Sequence, residues 1–319
     1  MKLERKLGTA TRDAYGKALA ELGKTHSNIV VLDGDLAKST KTDNFRKVFP
    51  ERFFNVGIAE ANMVGIAAGL ATCGKIPFIS SFACFMLCKG YDQFRMSVAF
   101  PGLNVKVVAS HGGISVGEDG ASQQSIEDIA LAASLPNFTV IIPADEVSTY
   151  SLVKKLTDHS GPVFMRTGRP KAPIIYKEGT EFEIGKGILL RRGEDVTIFA
   201  IGLLVFEALI AAEELAEKGI QAAVVDLHTV KPIDRNLIIK QAKETGAVVT
   251  CEEHQIYGGL GSIVSEVIAQ ETPVPMEFVA IRDTYAESGT PEELMDRYGL
   301  TASHIVRAAQ CVIIRKKKR

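Results

Sequence analysis

Short apolar runs recur along this chain, separated by longer segments whose apolar residues fall at helical spacing. Ile29–Leu32, Ile76–Ser80, Val105–Ala109, Thr139–Ile142 and Val163–Met165 read as strands. Thr11–Leu22, the run opening at Glu60, Phe85–Ala99, Ile126–Ser134 and Glu146–Thr157 read as helices. The same alternation resumes with strands at Val196–Ala200, Ala222–Val225, Ala247–Thr250 and Glu277–Ile281. Helices are predicted at Phe206–Glu217 and Ser262–Ala269, and two short ones at the end. Fully apolar strands alternating with helices imply a mainly parallel sheet covered on both faces. The fold class is therefore α/β, as two three-layer α/β/α domains of which the second is smaller. The first domain is expected over residues 5–170. A Pro- and Gly-broken linker at 171–193 follows, then the second domain over 194–314 and a basic tail at 315–319.

Composition narrows the class without naming a function. The chain has 319 residues, 46% hydrophobic and 24% charged, with a formal net charge of −1. No global field would attract nucleic acid or a membrane surface, and no apolar stretch is long enough to span a bilayer. The start, Met1–Lys6, lacks the apolar core of a signal peptide. Cys73, Cys84, Cys88, Cys251 and Cys311 are scattered, which predicts free thiols in a reducing, cytoplasmic setting. The histidines show no metal-ligand spacing, and Arg315–Arg319 reads as a solvated terminus. Gly258-Gly259-Leu260-Gly261 lacks the spacing of a dinucleotide fingerprint. It reads as a tight turn into a helix whose N-terminus could accept an anion.

Three segments carry candidate chemistry. Glu60 opens the otherwise small and apolar run Ala61–Ala71. A poorly solvated carboxylate must find a partner or hold a proton; its structural alternative is satisfaction by the helix dipole. The second segment is the glycine-dense Ser110-His111-Gly112-Gly113-Ile114-Ser115-Val116-Gly117-Glu118-Asp119-Gly120-Ala121-Ser122-Gln123, which follows a strand as ligand loops do. The third is Ser80-Ser81-Phe82-Ala83-Cys84-Phe85, whose two aromatics at i and i+3 are otherwise ordinary core spacing.

Together these segments resemble the transketolase family of thiamine diphosphate enzymes. The likeness covers the pyrimidine-binding and C-terminal domains, from Thr9 to about Ile313. It implies that Glu60 hydrogen-bonds the cofactor's aminopyrimidine and that Phe82 and Phe85 flank that ring. It also implies that Gln123 lies between cofactor and reacting carbon, and that Asp119 accepts from a sugar hydroxyl. Arg12, Ser39, His111 and Arg166 would hold a substrate phosphate, with Glu60, His111 and Gln123 counted as catalytic. Gln123 stands where many microbial members carry His, Ala121 where Pro is usual, and Cys88 where some have Tyr. No Gly-Asp-Gly followed some thirty residues later by Asn, the family's diphosphate and Mg2+ anchor, is found; no metal ligand is expected on this chain. The resemblance thus implies the C-terminal subunit of a split transketolase, moving a two-carbon ketol unit between sugar phosphates in pentose phosphate chemistry. It would need an N-terminal partner subunit, as a heterotetramer with two copies of each chain. Two alternatives remain: the β subunit of a 2-oxo acid dehydrogenase, and a non-catalytic assembly partner.

Overall fold

A computed structural model describes residues 5–317. Seven strands form the first sheet, in the spatial order Thr229–Lys231, Thr139–Ile141, Val163–Arg166, Lys106–Ala109, Ile76–Ser80, Ile29–Asp33, Phe53–Asn55. All neighbours are parallel except Thr229–Lys231, which pairs antiparallel with Thr139–Ile141. The second sheet runs Met276–Ile281, Val248–Gln255, Val196–Ala200, Ala222–Asp226, Ile188–Arg191, with only the last antiparallel. Strands such as Ile29–Asp33, Ile76–Ser80 and Val196–Ala200 are buried at every residue, because helices cover both faces of each sheet. The α/β expectation holds.

The two sheets are not independent. Thr229–Lys231 lies in the chain after the second sheet has begun, yet it completes the edge of the first. Apolar clusters cross the same boundary: Val163 and Met165 share one with Val196 and Ile198, and Phe164 shares another with Phe199.

Several elements differ from the sequence reading. The helix expected over Phe85–Ala99 is Ala83–Gln93 followed by a π-helical turn, Phe94–Ala99. Helix Arg235–Thr245 was not anticipated, although Asp234 caps its first turn and Gly246 ends it in the left-handed conformation. The last helix is not short: Ala302–Lys317 has 16 residues. The solvated-terminus reading is corrected for its first residues. Arg315 donates to Met276 O (2.8 Å) and pairs with Glu277, and Lys316 Nζ donates to Thr245 O at 2.6 Å; Lys318 and Arg319 lie outside the described residues. Helix Glu60–Thr72 leaves one side open. Asn62, Gly65, Ile66 and Gly69 are exposed, and a Cβ built on either glycine meets nothing within 4 Å. Among the described residues no helix is long and apolar enough to cross a membrane, and no group of three His, Cys, Asp or Glu side chains could hold a metal ion.

Candidate active site

The site lies at the carboxyl ends of the central parallel strands, where loops diverge. Glu60 is the first residue of its helix and only 2% exposed. Its carboxylate accepts from Ser81 Oγ (3.2 Å), one residue past the strand Ile76–Ser80, and from Lys89 Nζ (3.4 Å) on helix Ala83–Gln93. Both donors come from other elements rather than from the acid's own helix N-terminus. That favours an acid held by neighbouring elements over the helix-dipole alternative.

Helix Ala83–Gln93 also brings the aromatic pair. Phe82 and Phe85 lie nearly parallel, ring centroids 5.5 Å apart at 21°. Phe82 is buried and stacks on the His111 imidazole at 3.7 Å; Phe85 is half-buried, with Lys89 Nζ over its ring at 4.4 Å. Cys84 Sγ donates to Gln123 O (3.4 Å), which anchors the half-buried Gln123 beside the same helix. Glu60, Phe82, Phe85 and Gln123 are therefore gathered around one helix N-terminal half.

His111 joins this group to the second one. It sits just past the strand Lys106–Ala109 in the left-handed region, at φ 61°. Its Nε2 lies 3.3 Å from Arg12 NH1, and its Nδ1 lies 2.8 Å from Ser110 Oγ. A guanidinium can only donate, so Nε2 accepts and the proton sits on Nδ1, donating to Ser110. Burial, then Arg12 and Arg169, push the imidazole pKa down to about 3, so the ring is neutral. Arg12 NH1 also donates to Ser39 O at 3.2 Å, while its Nε is buried without a partner. Ser39 thus contacts Arg12 through its main chain. Its loop is folded by buried Asp33, which accepts from Leu36 N (2.6 Å), Thr40 Oγ1 (2.7 Å) and Thr42 Oγ1 (2.8 Å).

Asp119 is exposed on the glycine loop, 3.6 Å from Arg169 NH1; the same guanidinium pairs with Glu118 (3.1 Å) and donates to Val116 O. Arg166 does not open toward this group. Its guanidinium is buried between the domains, donating to Glu253 O (2.8 Å) and facing Asp128 Oδ1 (3.5 Å) and Glu253 Oε2 (3.7 Å). It lies directly beneath the loop: a Cβ on Gly112 would stand 1.9 Å from Arg166 Nε, so only glycine fits there. Glu253 Oε1 in turn accepts from Ser115 N. Burial raises the pKa of Asp128 and Glu253, and Arg166 opposes it in both.

Sequence reasoning missed Lys89, Ser81, Arg169 and Glu253. Lys89 follows Phe85 by one helical turn and Ser81 precedes Phe82 directly, so spacing could have found both. Arg169 lies three residues beyond Arg166, where the strand has ended and a side chain can turn outward. Glu253 had no local signal. The anion site suggested at Gly258–Gly261 is filled from within: Glu252 accepts from Leu260 N (2.7 Å) and Gly261 N (2.8 Å).

Residues 8–174 match the model of the transketolase pyrimidine-binding domain, and residues 185–305 that of the transketolase C-terminal domain. A putative transketolase C-terminal section of Methanocaldococcus jannaschii is 50% identical over 93% of this chain and 94% of its own length. The 6-deoxy-6-sulfo-D-fructose transketolase subunit SqwH of a Clostridium species is 44% identical over 97% and 96%. Human transketolase is 40% identical, but the match covers 95% of this chain and 49% of the human protein, so the chain spans about half of such single-chain relatives. A split-gene transketolase solved as an inactive beta4 tetramer superposes with a TM-score of 0.91 at 51% identity, over 97% of this chain and all of that one. The chain belongs to the transketolase family and corresponds to its pyrimidine-binding and C-terminal domains.

Proposed function

We propose that this chain supplies the pyrimidine side and the substrate's anionic end of a thiamine diphosphate-dependent transketolase, and that it turns over only with an N-terminal subunit. The observation that carries this reading is the continuous line Glu60–Ser81–Phe82–His111–Arg12–Ser39, which joins a buried acid and an aromatic wall to a cationic cluster. The residues fit the cofactor: a buried carboxylate beside the half-buried Phe85 suits a flat, hydrogen-bonding ring. Bound thiamine diphosphate would supply the nucleophilic carbon and the electron sink. Glu60 then holds a proton against the ring, and Gln123 offers an amide donor to oxygen at the reacting carbon. Asp119, an acceptor only, selects a sugar hydroxyl.

At the far end, the unpartnered Arg12 Nε offers an N–H to an oxyanion, while the neutral His111, its Nδ1–H given to Ser110 and its Nε2 accepting from Arg12, orients that guanidinium. We assign the second guanidinium there to Arg169, whose charge reaches Arg12 and His111, and give Arg166 the task of holding the loop from below. Exposed Phe54, Ile58, Ile66, Met96 and Phe100, with the uncovered glycine face of helix Glu60–Thr72, support a large partner surface around Glu60. The partner would bring the diphosphate and Mg2+ ligands, in a heterotetramer with two copies of each chain. Five free thiols fit a reducing, cytoplasmic setting.

The sulfosugar name of one relative favours a second substrate reading, in which the anion is a sulfonate. The test is reconstitution with the N-terminal subunit, cofactor and Mg2+. Xylulose 5-phosphate with ribose 5-phosphate should give a seven-carbon product, and a sulfofructose donor serves as the rival. Glu60→Gln should cut turnover at least ~10²-fold with folding intact. Near-normal activity of that variant would return Glu60 to a structural role, and pyruvate turnover with a lipoyl acceptor would select a 2-oxo acid dehydrogenase.

A further inference from the structure

Lys89 touches both features assigned above to the cofactor ring. Its ammonium lies 3.4 Å from Glu60 Oε2 and 4.4 Å from the centroid of Phe85, one helical turn earlier on helix Ala83–Gln93. The carboxylate is 2% exposed and the lysine side chain 49% exposed, so the acid is held inside while the lysine can leave. Its flexible stem lets the head swing into water at little cost. A ring bonded to Glu60 and packed on Phe85 needs the same carboxylate and the same aromatic surface. Ammonium and ring therefore compete.

We propose that Lys89 is a built-in placeholder in the cofactor site, occupying Glu60 and Phe85 until the aminopyrimidine displaces it. This rests on the cofactor reading given above. The device fits a subunit that must exist for a time without its partner. It gives a buried acid a counter-charge it would otherwise lack, and it covers the half-buried Phe85 ring.

The sign of one measurement separates this role from ordinary electrostatics. Thiamine diphosphate is an anion, so deleting a nearby cation should weaken its binding if Lys89 only adds to the local field. A placeholder predicts the opposite. In the complex with the N-terminal subunit and Mg2+, Lys89→Met should bind thiamine diphosphate about three- to thirtyfold more tightly by calorimetry, the scale of one exposed cation–π contact plus one exposed ion pair. Lys89→Arg, which keeps charge and ring contact, should stay close to wild type. Unchanged or weaker binding by Lys89→Met, while wild type binds, overturns the placeholder and leaves the cofactor reading intact. Equal tightening by Lys89→Arg also overturns it. A wild-type complex that binds no cofactor overturns both.

Discussion

Single residues decide what each of two neighbouring arginines faces. Arg166 and Arg169 are three positions apart, but the strand Val163–Arg166 ends between them. Arg166 spends its donors on Glu253 and Asp128, and Arg169 reaches the exposed loop at Asp119. Arg169→Ala should weaken phosphorylated acceptors by roughly 1.5–3 kcal/mol, less where solvent screens it, and leave glycolaldehyde nearly untouched. Arg166→Ala should instead leave two buried carboxylates uncompensated and lower stability by about 3–5 kcal/mol. KM values for the two acceptors and urea midpoints of both variants check the pair of expectations. A phosphate-selective loss with full stability in Arg166→Ala would exchange the two assignments. The sequence resemblance put Arg166 on the phosphate and passed over Arg169, because side-chain direction depends on where the strand stops.

Among elements, the strand Val248–Gln255 binds the most together. It extends five residues past the expected end at Thr250, and three of those residues act in turn. Glu252 caps helix Leu260–Glu271, Glu253 holds the glycine loop through Ser115 N, and His254 Nε2 accepts from Ala130 N on helix Asp128–Ser134. His254 Nδ1 then carries the proton and donates to Gln255 O. Burial holds its pKa down at about 4. The unfolded chain takes up this proton first as pH falls, so the contribution is complete above about pH 6.5 and is lost progressively toward pH 4. His254→Gln, which keeps an acceptor for Ala130 N, should flatten that part of the stability profile. Urea midpoints of wild type and variant between pH 4 and 7 give the comparison, and parallel profiles would remove His254 from the acid response. The element itself was half legible: apolar Val248–Thr250 announces a strand, whereas Glu252-Glu253-His254 reads as solvent-facing until the other domain covers it.

For the whole molecule, the exposed small-residue side of helix Glu60–Thr72 gives the sharpest expectation. A Cβ at Gly69 meets nothing within 4 Å in the chain itself, so Gly69→Glu should fold as well as wild type or slightly better. A helix packed closely against that face would be pushed away. Mixed with the N-terminal subunit, this variant should fail to form the heterotetramer by light scattering and should show no thiamine diphosphate binding by calorimetry. Normal assembly would place the partner elsewhere. Wild-type chain alone should likewise bind little or no cofactor; tight binding and ketol transfer without a partner would sink the split-enzyme reading.

The alternation of apolar strands and helices determined the α/β class, because a strand buried on both faces must be apolar throughout. Local motifs likewise determined the order of Glu60, the Phe82–Phe85 pair and the glycine loop, since each is a short-range pattern tied to a strand or helix end. Tertiary structure alone decided that Thr229–Lys231 closes the first sheet, that Arg166 and Glu253 brace the His111 loop from between the domains, and that Lys89 meets Glu60. Those contacts join residues from separate elements, up to 138 positions apart at Glu253 and Ser115, and their geometry is set by packing that no local pattern encodes.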